Sequence, residues 1–101
     1  MKRADVSFRA EASEDLFQIY RWIVSVSLDP VTAQRLTGRL VEACERIGDA
    51  PFGGRPRDDL APGLRTMAFE RKAVIAYRVV EGRVEITNVF YGGRDFEALY
   101  D

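Results

Sequence analysis

The run from Ala73 to Val80 is almost continuously apolar, and an apolar run of that length bounded by turn signals marks a strand buried in the middle of a sheet. Glu81-Gly82 follows, then Arg83 to Tyr91, which completes a two-residue hairpin with Gly82 supplying a positive φ. Leu64 to Phe69 alternates and adds a third strand. A chain with this core commits the stretch Gly63 to Asp95 to a sheet, which Tyr91-Gly92-Gly93-Arg94-Asp95 closes. The segment Arg94 to Tyr100 is too short to stand as a helix alone and must dock or fray.

Upstream the period changes. Val6 and Phe8 suggest a short first strand. From about Glu11 to Val26, the residues Ala12, Leu16, Ile19, Tyr20 and Ile23 form one helical stripe. Phe17 and Val24 lie on one flank of it and Trp22 on the other, a face wide enough to touch two neighbours. Asp29 is placed to cap a second helix, with Pro30 at its first position. That helix is expected to run to about Ile47, burying Ala33, Leu36, Leu40, Ala43, Cys44 and Ile47, with Gly48 as its stop. Asp49 to Pro62, broken by Pro51, Gly53, Gly54 and Pro56, reads as a loop. The expected architecture is a single α+β domain over residues 1–101. It has an N-terminal strand, a two-helix antiparallel hairpin packed on one face of a small, mainly antiparallel sheet, and a short C-terminal helical tail.

The hairpin register sorts the side chains. With Glu81-Gly82 as the loop, Val80 pairs with Arg83, Arg78 with Glu85 and Tyr77 with Ile86. Ile75, Tyr77, Val79, Val84, Ile86 and Phe90 then share the face expected under the helices. Val74, Ala76, Arg78, Glu85, Thr87, Val89 and Tyr91 share the other. If Arg71-Lys72 is also a two-residue loop, Arg65 stands beside Arg78 on that second face as a cationic cleft for a carboxylate-bearing peptide or for phosphates. A solvated Arg65 with Arg78 paired to Glu85 is the plainer reading, and a three-residue loop would turn Arg65 inward.

The chain has no histidine, which removes Ser-His-Asp and Cys-His sites, the histidine general base and most zinc sites. No cofactor and no metal are expected. Cys44, the single cysteine, lies in the apolar stripe of the second helix and reads as core in a reducing compartment. No apolar run approaches a membrane span and no hydrophobic region follows Met-Lys-Arg-Ala-Asp, so a cytoplasmic location with no membrane partner is expected. A net charge of −1 gives no field that would drive direct nucleic-acid binding.

Several local signals, taken in order, carry a family resemblance: Ala12-x-x-Asp15-Leu16-x-x-Ile19-Tyr20, Pro51-x-x-Gly54-Arg55-Pro56-Arg57, Pro62-Gly63-Leu64-Arg65, Val74 to Val79, Val84-Glu85-Ile86-x-x-Val89 and Gly93-Arg94-Asp95. Over nearly its whole length the chain resembles the RelE/ParE toxin superfamily. RelE-type toxins cut mRNA in the ribosome with basic residues on the second and third strands and an arginine and a tyrosine after the last. ParE-type toxins poison DNA gyrase. Arg65 matches the first basic position, and Arg94 with Tyr100 matches the last pair, but Met67 and Val74 stand where further cations belong. Each such contact contributes roughly 2–4 kcal/mol to a phosphoryl transition state. The resemblance therefore implies a ParE-type toxin with no catalytic residues, a gyrase inhibitor neutralised by a ParD-like antitoxin whose flexible acidic tail wraps helix one and the sheet edge. It implies antitoxin contacts at Phe17, Trp22, Arg65 and Arg78, and target contacts at Tyr91, Arg94 and Tyr100. The alternatives are a ribosome-dependent mRNA endonuclease using Arg65, Arg94 and Tyr100, and a non-toxic module that only binds its antitoxin.

Overall fold

Asp29 decides where the two helices part. In the computed structural model, which describes residues 3–93 and 95–100, its carboxylate accepts from the Val31 N–H at 3.1 Å and from the Thr32 hydroxyl at 2.7 Å. Pro30 follows at the first helical position, where no N–H is needed. Leu28, in the left-handed region at φ 55°, ends the preceding helix by donating its N–H to Val24 O. The result is an antiparallel pair, α1 (Ala10–Ser27) and α2 (Pro30–Arg46). A single 3₁₀ turn, Ile47–Asp49, continues α2. Gly48 lies inside that turn and is not the stop expected of it. Its smallness matters because a Cβ there would overlap Ala4 O, and Ala4 N–H donates to Gly48 O at 2.8 Å.

The sheet has five strands in the order β1-β5-β4-β3-β2. They are β1 (Val6–Phe8), β2 (Arg55–Pro56), β3 (Arg65–Phe69), β4 (Ala73–Val80) and β5 (Arg83–Tyr91). β1 runs parallel to β5 and the other pairings are antiparallel. β2 is a departure from expectation: the loop that contains it touches down on β3 through Arg55 and Pro56. The Glu81-Gly82 hairpin forms in the expected register, both turn residues having positive φ (51° and 76°) as a type I′ turn requires.

Two register features change the map of the faces. The β3–β4 loop has three residues, with Phe69 opposite Ala73, so Arg65 pairs with Tyr77 and Met67 with Ile75. In β5 a bulge at Thr87 shifts the pairing from Tyr77↔Ile86 to Ala76↔Asn88. Beyond the bulge every residue changes side. Val89 and Tyr91 therefore pack with the helices, and Phe90 turns to the far face with Leu64 and Ala76. Both shifts overturn the assignment made by unbroken alternation.

The main core lies between helices and sheet and contains Ile19, Ile23, Leu36, Leu40, Cys44, Ile75, Tyr77, Val84 and Ile86. Cys44 is fully buried, and desolvation pushes its thiol up to about 12. A second cluster on the far face joins Leu64, Ala76 and Phe90 to Phe96 and Tyr100 of a C-terminal 3₁₀ turn (Phe96–Tyr100). The tail thus docks on the sheet face opposite the helices.

Candidate functional site

Tyr77 and Arg65 belong to one device on the helix side of the sheet. The fully buried Tyr77 hydroxyl accepts from Gly54 N–H at 2.9 Å and donates to Pro51 O at 2.9 Å. Desolvation raises its pKa, and the Gly54 amide works in the opposite direction. A Cβ on Gly54 would sit 2.8 Å from ring carbons of Tyr77, so the loop reaches the ring only as glycine. Arg65 Nη1 donates to Phe52 O at 3.0 Å and Gly54 O at 2.9 Å, while its guanidinium lies 5.2 Å above the exposed Phe52 ring. The motif Pro51-x-x-Gly54 is a loop clamped from below by one tyrosine and one arginine.

On the other side of the core, α1 diverges from β5 and opens a groove of about 430 Å³. Asp15, Gln18, Ile19 and Trp22 line it from the helix, and Val89, Tyr91 and Gly92 from the strand. The bulge is what makes this wall. It turns the Val89 N–H outward, and Asp15 Oδ2 accepts it at 2.9 Å together with Asn88 Nδ2 at 3.2 Å. Trp22 is half exposed and meets Tyr91 edge-on with ring centres 5.6 Å apart. Burial raises the Tyr91 phenol, the Glu70 charge adds to this, and Arg39 opposes it.

The far face is closed by charge and by stacking. Arg57 bridges Asp59 (2.9 Å) and Glu97, and its guanidinium lies 5.9 Å from the Phe96 ring, which stacks on Phe90. The hydrogen bonds that Arg57 donates to Asp59 and then to Glu97 raise its pKa. Under the tail, Arg78 Nε and the Tyr100 hydroxyl are both buried without a partner among the described residues. Burial raises the Tyr100 phenol and the nearby Arg78 charge opposes that rise.

The residues singled out in the sequence therefore regroup. Arg65 faces the helix side and Arg78 the far side, so the two do not form the shared cationic cleft expected of them. Arg78 stands opposite Glu85 in the ladder as expected but forms no salt bridge with it; Glu85 lies 3.9 Å from Arg9 Nη1. Trp22 and Tyr91 come together in the α1–β5 groove, and Arg78 and Tyr100 come together beneath the tail. Phe17 is exposed on the flank of α1 away from Trp22, about 140° around the helix, with Arg21 5.9 Å from its ring. Arg94 lies outside the described residues. Sequence reasoning missed Asp15, Tyr77, Gly54 and Arg57 as organising residues. Asp15 carried a signal, a carboxylate bordering an apolar stripe, which asks for a donor inside the fold. Among the described residues there is no cluster of metal-ligating side chains, and no helix is long and apolar enough to cross a membrane.

The profile of the ParE toxin of the type II toxin–antitoxin system parDE matches residues 6–96. Among solved structures, the chromosomal ParDE toxin–antitoxin system from P. aeruginosa is similar, with 24% identity, a TM-score of 0.76, and coverage of 88% of this chain and 96% of that one. The RelBE2 toxin–antitoxin complex from Mycobacterium tuberculosis is similar too, with 22% identity, a TM-score of 0.67, and coverage of 90% and 100%. At these identities the likeness establishes the fold. No curated protein matches the chain.

Proposed function

The chain belongs to the ParE toxin family of type II toxin–antitoxin systems, and from that premise we propose that it acts by binding protein rather than by cutting RNA. Its target on this reading is DNA gyrase, which it traps on DNA so that replication stops. A ParD-like antitoxin neutralises it in the cytoplasm.

The observation that carries this reading is the separation of Arg65 from Tyr100. An endonuclease without histidine needs several cations around one scissile phosphate to stabilise its developing charge. Arg65 lies on the helix side with one nitrogen given to two loop carbonyls, whereas Tyr100 packs on the far face against Phe90 and Ala76. The sheet stands between them. Met67 is packed against the helix-side core and Val74 against the far-face cluster, so neither supplies the missing charge.

The α1–β5 groove supports an antitoxin surface. Trp22 gives a half-exposed aromatic anchor in edge contact with Tyr91, and the apolar Ile19 and Val89 also line the groove, the composition expected at the centre of a protein contact. Phe17, about 140° around α1 from Trp22, is a separate exposed contact outside the groove. Arg65 and Arg78 serve as separate contacts at two faces, with Arg94 and Tyr100 assigned to the target.

Induction in cells tests the proposal. Gyrase poisoning predicts arrested DNA synthesis with intact transcripts, and rescue by co-expression of a small neighbouring gene with a ribbon-helix-helix N-terminus. Cut transcripts with continuing DNA synthesis would reverse the assignment, and unimpaired growth with folded protein would favour a module that only binds its antitoxin.

A further inference from the structure

The α1–β5 groove is lined by two aromatic rings and one carboxylate, and by no basic side chain among the described residues. We propose that it selects a cationic side chain, arginine or lysine, from the partner that occupies it. The inference rests on the reading of this groove as the antitoxin surface and adds the chemistry which that surface demands. A tail that is acidic elsewhere carries a base at this point.

The argument starts from Asp15. Its Oδ2 is fixed by two donors, Val89 N–H at 2.9 Å and Asn88 Nδ2 at 3.2 Å. Both fall on the same oxygen, and the carboxylate enters no ion pair among the described residues. A partner that closed the groove with apolar groups alone would bury this charge uncompensated. An acidic group would set two carboxylates together away from water. A cation meets neither penalty and gains a charge-assisted hydrogen bond.

The neighbouring groups favour the same sign. Gln18 Nε2 donates to Glu14 Oε1 at 2.9 Å, which spends donor capacity and leaves the Gln18 carbonyl oxygen as an acceptor. Glu14 is exposed one turn before Gln18 and has no ion-pair partner among the described residues. Arg39, whose charge reaches Tyr91, is engaged by Glu70 at 3.0 Å. The aromatic pair completes the site. Trp22 is half exposed, with its ring centre 5.6 Å from that of Tyr91, and aromatic faces attract a cation, indole most of all. Ile19 and Val89 line the same groove of about 430 Å³ and offer apolar surface to the stem of an arginine or lysine.

The test titrates the full chain with Nα-acetylarginine methylamide while the Trp22 indole and Val89 amide resonances are followed. Both should shift, and the neutral isostere Nα-acetylcitrulline methylamide should bind about tenfold more weakly for want of the charge. Asp15→Asn keeps an oxygen for Val89 N–H and should lose the preference for arginine over citrulline. Equal binding of the two ligands, shifts that spare Trp22 and Val89, or no shift up to about 50 mM arginine ligand overturn the proposal. If Asp15→Asn fails to fold, the two ligands compared on the unaltered chain decide alone. Co-purification with the antitoxin from the neighbouring gene separates the inference from the reading beneath it. Equal capture of the unaltered chain and Asp15→Asn, with Trp22→Ala impaired, overturns the inference and leaves the antitoxin surface standing. Undiminished capture of Trp22→Ala overturns the antitoxin surface, and the ligand titration then decides the cation site by itself.

Discussion

Tyr77→Phe is the sharpest perturbation of this fold, because it removes one oxygen and nothing else. That oxygen accepts from Gly54 N–H and donates to Pro51 O, each at 2.9 Å, from a fully buried ring. Without it a buried N–H loses its acceptor, a penalty of about 1–3 kcal/mol. The Pro51 carbonyl is partly exposed and turns to water at smaller cost. A net loss of about 2 kcal/mol follows, which lowers the melting temperature by about 8–16 °C in a domain of this size. Urea unfolding gives the same quantity with an unchanged slope, since the area exposed hardly changes. Native-state hydrogen exchange adds the site: the Gly54 amide should lose protection while Ile75 and Ile86 keep theirs relative to the new global stability. A loss under about 0.5 kcal/mol with Gly54 still protected would refute the clamp.

Asp15→Ala should cost about 1–2 kcal/mol and shift the Val89 amide strongly, because Asp15 alone satisfies that N–H across the bulge; unchanged Val89 resonance would contradict it. Glu81→Asn should stabilise by about 0.5–1 kcal/mol, since φ 51° at Glu81 suits asparagine better, and thermal unfolding reads the gain. Hydrogen bonds from Arg57 and Arg39 hold Asp59 and Glu70 below their ordinary values of 3.8 and 4.5. A carboxylate lowered on folding contributes fully above its unfolded value and loses that contribution as pH falls through the folded one. Stability should therefore decline as pH drops below about 4.5, and Glu70→Gln should flatten the upper part of that decline in an acid titration. Cys44, pushed up to about 12, should resist thiol reagents at pH 8 until the chain unfolds.

The helices were legible because their signals are local. Asp29, Pro30 and the stripe from Ala33 to Cys44 state a helix within one short window, and α2 forms as expected. The Glu81-Gly82 hairpin was legible for the same reason. The bulge at Thr87 was not, since its cause sits in α1: the carboxylate of Asp15 rewards a Val89 N–H turned out of the ladder, and nothing in Thr87-Asn88 announces it. The β3–β4 loop was hidden differently. Glu70 and Arg71 adopt positive φ (48° and 56°) although neither is glycine, and Arg39 in α2 grips Glu70 in that conformation. These two non-local contacts moved Arg65, Val89, Phe90 and Tyr91 to faces other than those expected from alternation. They are also what separates Arg65 from Arg78 and brings Tyr91 to Trp22.

The same rearrangement bears on function. A cationic cleft of Arg65 and Arg78 would have suited phosphate as well as peptide. With the two arginines divided by the sheet, the surface that remains richest in contact chemistry is the aromatic groove of Trp22 and Tyr91. The most direct measurement is made with purified protein, in parallel supercoiling reactions with gyrase and cleavage reactions with ribosome-bound mRNA. The account predicts inhibited supercoiling with the message intact; cut mRNA beside unimpaired gyrase would contradict it.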